Sequence, residues 1–501
     1  MSFIRRRSPH SPFNMAERVR FDVGKSPWGS PPMGPMESAV SADCEVQARP
    51  GSATTTNGIG AGANAETEGR EPPPSKLEPS GCAGSATGHA SADDAARVPA
   101  SPLQLDGSIV PKKYQSISEL YERGRRLRQA CRADEAERVL RHVIQIAREA
   151  TPEPPARLIA ATLYELGKSA RAAGRSEAAV DALKESLGIS TANLMSDDLW
   201  IGLTLHELGM CLRAAGRPWE AEELLWQALA IKEAKLGPED LGVAATLTEL
   251  GCCMRASQRE GGAVEVLGRA LSVIEARFGP HHLQIAPTLH ELGLCLRAAR
   301  RPREAAELLK REVKILEEEL GREDLQVGVT LHELGLCVRA TGKSEEAQGL
   351  FERALRIKQA SLGPEDGRVA TTLHELGLCV WLAGRPREAH VQLKRALLIL
   401  EAGRGSGSGS GFKKCAVVLH DLGSCLRATA WQREAEGFLR RALAIKRMVA
   451  GSGSLQVAVT LFELSGCVRD MGRPAEAEEL LKEALEIKEV QLDLTRGLSG
   501  L

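Results

Sequence analysis

The chain has 501 residues, with 65 Lys and Arg against 66 Asp and Glu, and 3% aromatic beside 26% charged residues. A formal net charge of −1 supplies no global field to draw it onto nucleic acid or an anionic membrane, and a composition rich in Leu, Ala, Glu and Arg suits amphipathic helices better than sheets. No apolar run approaches the ~20 residues of a membrane span and Met1 to Arg20 has no secretory apolar stretch, so the expectation is a soluble cytoplasmic chain whose twelve cysteines stay reduced.

Residues 1–113 are rich in Pro, Gly, Ser, Ala and Thr without apolar period, and read as a disordered low-complexity tail. Within them Arg6, Pro9 and Pro12 fit a basic-x-x-Pro-x-x-Pro ligand pattern, set against a bland Pro-rich tail. Gly24-Lys25-Ser26 resembles the end of a phosphate loop, but Val19 stands where the leading glycine belongs and the match is discarded.

From Tyr114 onward a run such as Leu-His-Glu-Leu-Gly recurs. Its glycine is Gly167, Gly209, Gly251, Gly293, Gly335, Gly377 and Gly423, with Ser465 in the eighth place and an imperfect unit around Gly124 ahead of them. The step is 42 residues, stretched to 46 between Gly377 and Gly423. A period of 20 to 50 residues marks a solenoid, because one unit cannot bury its own apolar face and stacking supplies the core. Repeats are expected over 114–402 and 413–492, with a flexible Gly/Ser insert at 403–412 and a short tail at 493–501.

Each unit predicts two helices. Leu205, Leu208 and Leu212 form the stripe of the first, which Ala215-Gly216-Arg217-Pro218 ends; Ala221, Leu225, Ala228 and Leu229 form that of the second. Gly237-Pro238-Glu239-Asp240 closes the second, and Asp240 is placed to cap the next.

Leu four and one before the glycine, a small residue two after, and Ala twelve and nineteen after it (Ala221, Ala228, Ala263, Ala270) resemble the tetratricopeptide repeat. The 42-residue length and the run from Ala228 to Asp240 are similar to the kinesin light chain type. The resemblance implies an all-α, right-handed superhelical solenoid of about eight to nine helix-turn-helix units.

Cys211, Cys253, Cys295, Cys337, Cys379, Cys425 and Cys467 stand two after the repeat glycine or Ser465 and read as small packing residues. A metal ladder is disfavoured, since His206 and Cys211 are five residues apart, roughly 140° around a helix. No cofactor and no metal site are expected.

In tetratricopeptide arrays the stripe three before, one after and four after the glycine lines a concave peptide-binding groove. The resemblance therefore makes His206, Met210 and Arg213, Arg255, His290, Leu294 and Arg297, His332, Leu336 and Arg339, His374, Leu378 and Trp381, and Arg427 the candidate binding residues. A row of guanidinium groups favours carboxylates, so an extended acidic segment is the expected ligand, centred on Arg297, Arg339, His290, His332 and Leu336. The alternative is that each arginine pairs with an acidic residue such as Glu207, Glu249, Glu291 or Glu333 of its own or the adjoining repeat. Departures from the ladder, namely Thr248, Cys252, Trp381, Ser424 and Phe462, are the specificity candidates.

The leading function is a non-enzymatic protein-protein interaction scaffold. Beside it stand a kinesin light chain-like cargo adaptor partnered by kinesin heavy chain, a sensor array related to nucleotide-switch receptors, and a single-stranded nucleic-acid binder. Near-neutral charge and few groove aromatics disfavour the last, so neither nucleic acid nor membrane is expected as a partner.

Overall fold

The computed structural model describes residues 115–149, 156–195, 198–403, 409–427, 429 and 431–499. Among them every regular element is helical and no strand occurs. The helices come in nine pairs. They are α1 (Gln115–Gln129) with α2 (Ala133–Glu149), α3 (Ala156–Ala172) with α4 (Ser176–Asn193), and α5 (Leu199–Ala214) with α6 (Pro218–Leu236). Then follow α7 (Leu241–Ala256) with α8 (Glu260–Phe278), α9 (Ala286–Ala298) with α10 (Pro302–Glu319), and α11 (Leu325–Ala340) with α12 (Ser344–Leu362). The last are α13 (Gly367–Leu382) with α14 (Pro386–Ala402), α15 (Gly409–Arg427) with α16 (Gln432–Ala450), and α17 (Leu455–Asp470) with α18 (Pro474–Ser499). A 3-10 turn, Leu283–Ile285, leads into α9. The solenoid is all-α, as the repeat period implied. The disordered tail read for 1–113, with its Pro-rich pattern, lies outside the described residues. Two boundaries fall differently from expectation: α15 already begins at Gly409, inside the Gly/Ser insert, and α18 runs on to Ser499.

The marker glycine is explained by the crossing of the two helices in each pair. A Cβ on Gly209 would lie 2.7 Å from Leu225, and one on Gly335 2.7 Å from Phe351; the same approach recurs at Gly293 with Leu309 and Gly377 with Leu393. The missing side chain is thus the space that the leucine or phenylalanine sixteen residues later fills. The seven repeat cysteines lie on the first helices, and Cys425 and Cys467 donate to the Pro386 and Gln432 carbonyls at the start of the preceding second helix. All seven are fully buried free thiols, and burial pushes Cys211 up to about 12 and Cys337 up to about 11, which removes them from thiolate chemistry at neutral pH.

Helix starts follow the local grammar. Asp198, Asp240, Asp324 and Asp366 each cap a first helix by accepting the amide two residues on, at 2.7 to 2.8 Å. Proline opens α6, α10 and α14, where the missing N–H has no intrahelical partner to lose. Among the described residues, the turns inside the pairs other than α15 with α16 each use one left-handed residue. Glycine supplies it at Gly216 (φ 77°) and Gly384 (φ 76°), but Gln258 (φ 58°) and Arg300 (φ 59°) hold the same conformation with a Cβ. Changing Gln258 or Arg300 to glycine is therefore expected to stabilise the array by about 1 kcal/mol each, read as a rise in thermal midpoint. A fall in midpoint for both would show that the side chains, not the backbone, govern these turns.

Successive first helices touch one another along the whole series, from α1 against α3 to α15 against α17, whereas among the described residues no second helix meets the next to a comparable extent. The stack therefore bends toward the first helices, which form its inner side. These repeats belong to one compact unit ending at Gln491.

Candidate functional site

On α13, a first helix, Thr371, His374, Glu375, Leu378 and Trp381 are half-buried while Val369, Leu373, Leu376 and Val380 are buried. The half-buried set is the inner stripe. Met210, Leu294, Leu336 and Leu378 lie one residue after their glycines and are all half-buried, and Trp381 shares their accessibility. The stripe's charged members are already engaged. Arg213 meets Glu249 at 3.0 Å, Arg255 meets Glu291 at 2.9 Å, Arg297 meets Glu333 at 3.2 Å, Arg339 meets Glu375 at 2.8 Å and Arg427 meets Glu463 at 3.3 Å. The series starts earlier, with Arg128 to Glu165 at 2.6 Å and Arg171 to Glu207 at 3.3 Å. Each of these seven arginines thus reaches the carboxylate of the next repeat. Glu207 is 2% exposed; burial alone would raise its pKa, but Lys168 and Arg171 outweigh it and hold the carboxyl below the usual range. Among the described residues Arg469, at the end of the series, has no ion pair.

Trp381 interrupts the ladder. The carboxylate that an arginine would have held there, Asp421, is instead bonded by His374 Nε2 at 2.6 Å. Elsewhere the histidines face the joint between repeats. His206 is 9% exposed, with its Nδ1 3.2 Å from the Thr246 hydroxyl, and His332 stands 3.2 Å from Thr372 in the same way. Those hydroxyls accept from buried ammonium groups: Lys232 to Thr246 at 2.9 Å and Lys358 to Thr372 at 3.0 Å, with Lys446 to Thr460 at 2.8 Å further on. In a joint of opposite charge, His290 Nδ1 lies 3.1 Å from Glu312, which also accepts from Thr330 at 2.8 Å.

These joints titrate in opposite senses. Burial, then Lys358, Arg297, His374 and Arg339, push His332 down to about 3; burial and Lys446 push His420 down to about 4. Burial would lower His290 too, but the hydrogen bond and charge of Glu312, with Glu291 and Glu333, turn the net shift upward. Lys358 and Lys446 are pushed down to about 8 by burial.

Sequence reasoning missed these joints. Their signal was present: a threonine five before the glycine or Ser465 in seven repeats (Thr162, Thr204, Thr246, Thr288, Thr330, Thr372, Thr460), and a lysine twenty-three after it in four (Lys232, Lys358, Lys446, Lys488). The joint after α13 has Val418 in place of that threonine, and there a cleft of about 450 Å³ opens between α13, α15 and α16. Thr371, His374, Leu400 and Val417 line it, with Lys413 and Lys414 at its edge. Neither lysine has an ion pair among the described residues.

A family model described as tetratricopeptide repeat matches residues 116–192, 158–234, 200–276, 261–318, 326–402 and 414–489. The chain belongs to the tetratricopeptide repeat family. Solved structures similar to this tetratricopeptide array include the nearly identical TPR-like repeats of a Podosopora anserina kinesin light chain protein, at 29% identity over 42% of this chain and 99% of that one, with a TM-score of 0.38. Others are the apo form of RapI, at 11% identity over 74% of this chain and 97% of that one (TM-score 0.54), and the apo quorum sensor NprR from B. thuringiensis, at 12% over 75% and 100% (TM-score 0.53). At these identities the last two show the fold alone. No curated protein matches the sequence. Tetratricopeptide arrays are generally non-enzymatic scaffolds that mediate protein partnerships. No helix among the described residues is long and apolar enough to cross a membrane.

Proposed function

We propose that this tetratricopeptide array is a cytoplasmic, non-enzymatic scaffold that holds extended acidic protein segments along the inner stripe. The observation that carries the reading is the file of half-buried apolar side chains, Met210, Leu294, Leu336, Leu378 and Trp381, running beside guanidinium groups already held in place. A bound backbone would lie on the apolar file. Each arginine is fixed by its glutamate before any ligand arrives, so little side-chain freedom is lost when its remaining N–H groups meet a carboxylate. The glutamates offset most of the ladder's charge, and the selectivity for acid therefore comes chiefly from Lys413 and Lys414 beside the cleft.

Peptide arrays of acidic, neutral and basic extended segments, probed with the full chain, are expected to retain it on acidic members. Leu336→Arg should reduce that retention at least tenfold while leaving helicity unchanged, because Leu336 is not part of the deep core. Unchanged retention by L336R and by K413E/K414E together would remove the stripe as the binding surface. Kinesin heavy chain is the narrower partner suggested by the repeat type, and co-purification from native cells checks it.

A further inference from the structure

The outer side of the array carries a feature that the stacking of repeats does not require. On α6, Trp219 is 61% exposed and Trp226 45% exposed. Seven residues apart, they lie on the same face of the helix, about 10.5 Å from each other along its axis. Neither ring meets a cation or another ring among the described residues. The positions they occupy are charged or small elsewhere: the first is Glu177, Gly261 and Arg303 in neighbouring repeats, and the second is Lys184, Gly268 and Lys310. Eight other helix pairs therefore stack without an aromatic there. Large exposed rings on a polar helix face mark a contact surface rather than a packing need.

The charge around the pair is specific. Glu223 lies between the two rings, four residues after Trp219 and three before Trp226. Asp181 on α4 and Glu265 on α8 hold the corresponding place in the repeats on either side. None of the three carboxylates has an ion pair among the described residues, whereas Glu220 on the same helix is bound by Arg217 at 2.5 Å and Glu233 by Arg269 at 2.6 Å. Lys184 stands at the edge of the row and leaves its sum negative. On α8 the flanking positions are Gly261 and Gly268, where an added Cβ would meet nothing within 4 Å, so the rings project beside an open step.

We propose that this face of α6 docks a basic extended segment whose arginines, three residues apart, stack on Trp219 and Trp226 while Glu223, Asp181 and Glu265 neutralise them. A polyproline-type strand repeats its face every three residues, about 9 Å, close to the separation of the two indoles. Arginine is the cation of choice because its planar guanidinium stacks on an indole and keeps its edge N–H groups for a carboxylate. The surface is separate from the inner stripe in place and opposite to it in charge preference, so the two readings stand or fall independently.

The test is fluorescence polarisation of the full chain with a fluorescein-labelled Ser-Arg-Pro-Ala-Arg-Pro-Ser peptide at low salt. Binding is expected to be at least tenfold weaker in W219A/W226A and several-fold weaker in Glu223→Gln, and to fall as salt is raised. Helicity should not change, since all three side chains face solvent. The inference is overturned if the intact chain does not bind the peptide, or if W219A/W226A binds it equally well. It is also overturned if the version with glutamine in place of both arginines binds as tightly, which would indicate proline recognition. Binding to phosphatidylcholine vesicles that W219A/W226A abolishes, without peptide binding, would overturn it in favour of a lipid surface.

Discussion

Arg255→Ala is expected to destabilise the array by about 2 to 3 kcal/mol, with the loss concentrated where α7 meets α9. Glu291 is 5% exposed and receives Arg255 Nε at 3.0 Å and a terminal nitrogen at 2.9 Å; removing the arginine leaves a carboxylate in a joint without its counter-charge. The arginine side chain itself is 35% exposed, so water screens part of the pair and the upper end of the range for fully buried pairs does not apply. Replacing both partners together, R255M/E291L, should recover most of the loss, because the cost lies in the unpaired charge. Thermal melting followed by circular dichroism, with hydrogen exchange to locate the change, checks this. A double variant no more stable than R255A would show that packing of the arginine stem, not charge, is what the joint loses. By the same geometry, charge reversal at Arg297 and Arg339 would set glutamate against Glu333 and Glu375, and stability should fall together with binding.

Acid should loosen the array before it unfolds. His332 and His420 titrate near 3 and 4 in the native chain and near 6.5 when unfolded, so native and unfolded states bind protons equally above about pH 6.5. As pH falls below that value only the unfolded state takes up the protons, and stability declines toward the native pKa values. Between pH 7 and pH 5 the two sites together should cost about 4 kcal/mol. His290 works in the other direction. Its raised pKa contributes stability that is present below about pH 6.5 and is lost as pH rises through its native value. The thermal midpoint of the full chain should therefore drop steeply from pH 7 to pH 5, and H332Q/H420Q should flatten that drop. An unchanged slope in the double variant would mean that these joints admit water or rearrange to accept the proton.

The fold was legible because the array repeats one set of contacts. The glycine at nearly every crossing, the leucines around it and the aspartate caps of four first helices each satisfy a local requirement, and their recurrence makes the period visible. The inner stripe was legible for the same reason. What periodicity could not resolve was the occupation of its charged members. Arg255 and Glu291 are separated by 36 residues, and the regular spacing that reveals both ladders is equally consistent with pairing inside a repeat, between repeats, or with a ligand. Only the closeness of successive first helices decides for the next repeat. The buried joints escaped for a different reason: the lysine of Lys232, Lys358 and Lys446 recurs in only four repeats, counting Lys488, and a lysine near the end of a helix reads as a solvated charge until the neighbouring threonine is seen to cover it.

The interruption at Trp381 also bears on mechanics. Ion pairs cross from each first helix to the next, and others such as Arg269 to Glu233 and Arg311 to Glu275 join successive second helices, so the stack is linked along both sides. At the joint between α13 and α15 the link changes character: His374 replaces an arginine, a cleft replaces the covered threonine, and the repeat spacing lengthens from 42 to 46 residues. A load applied along the array should part it there first, dividing seven helix pairs from two, so that a pulling experiment would record one early, small extension ahead of the others.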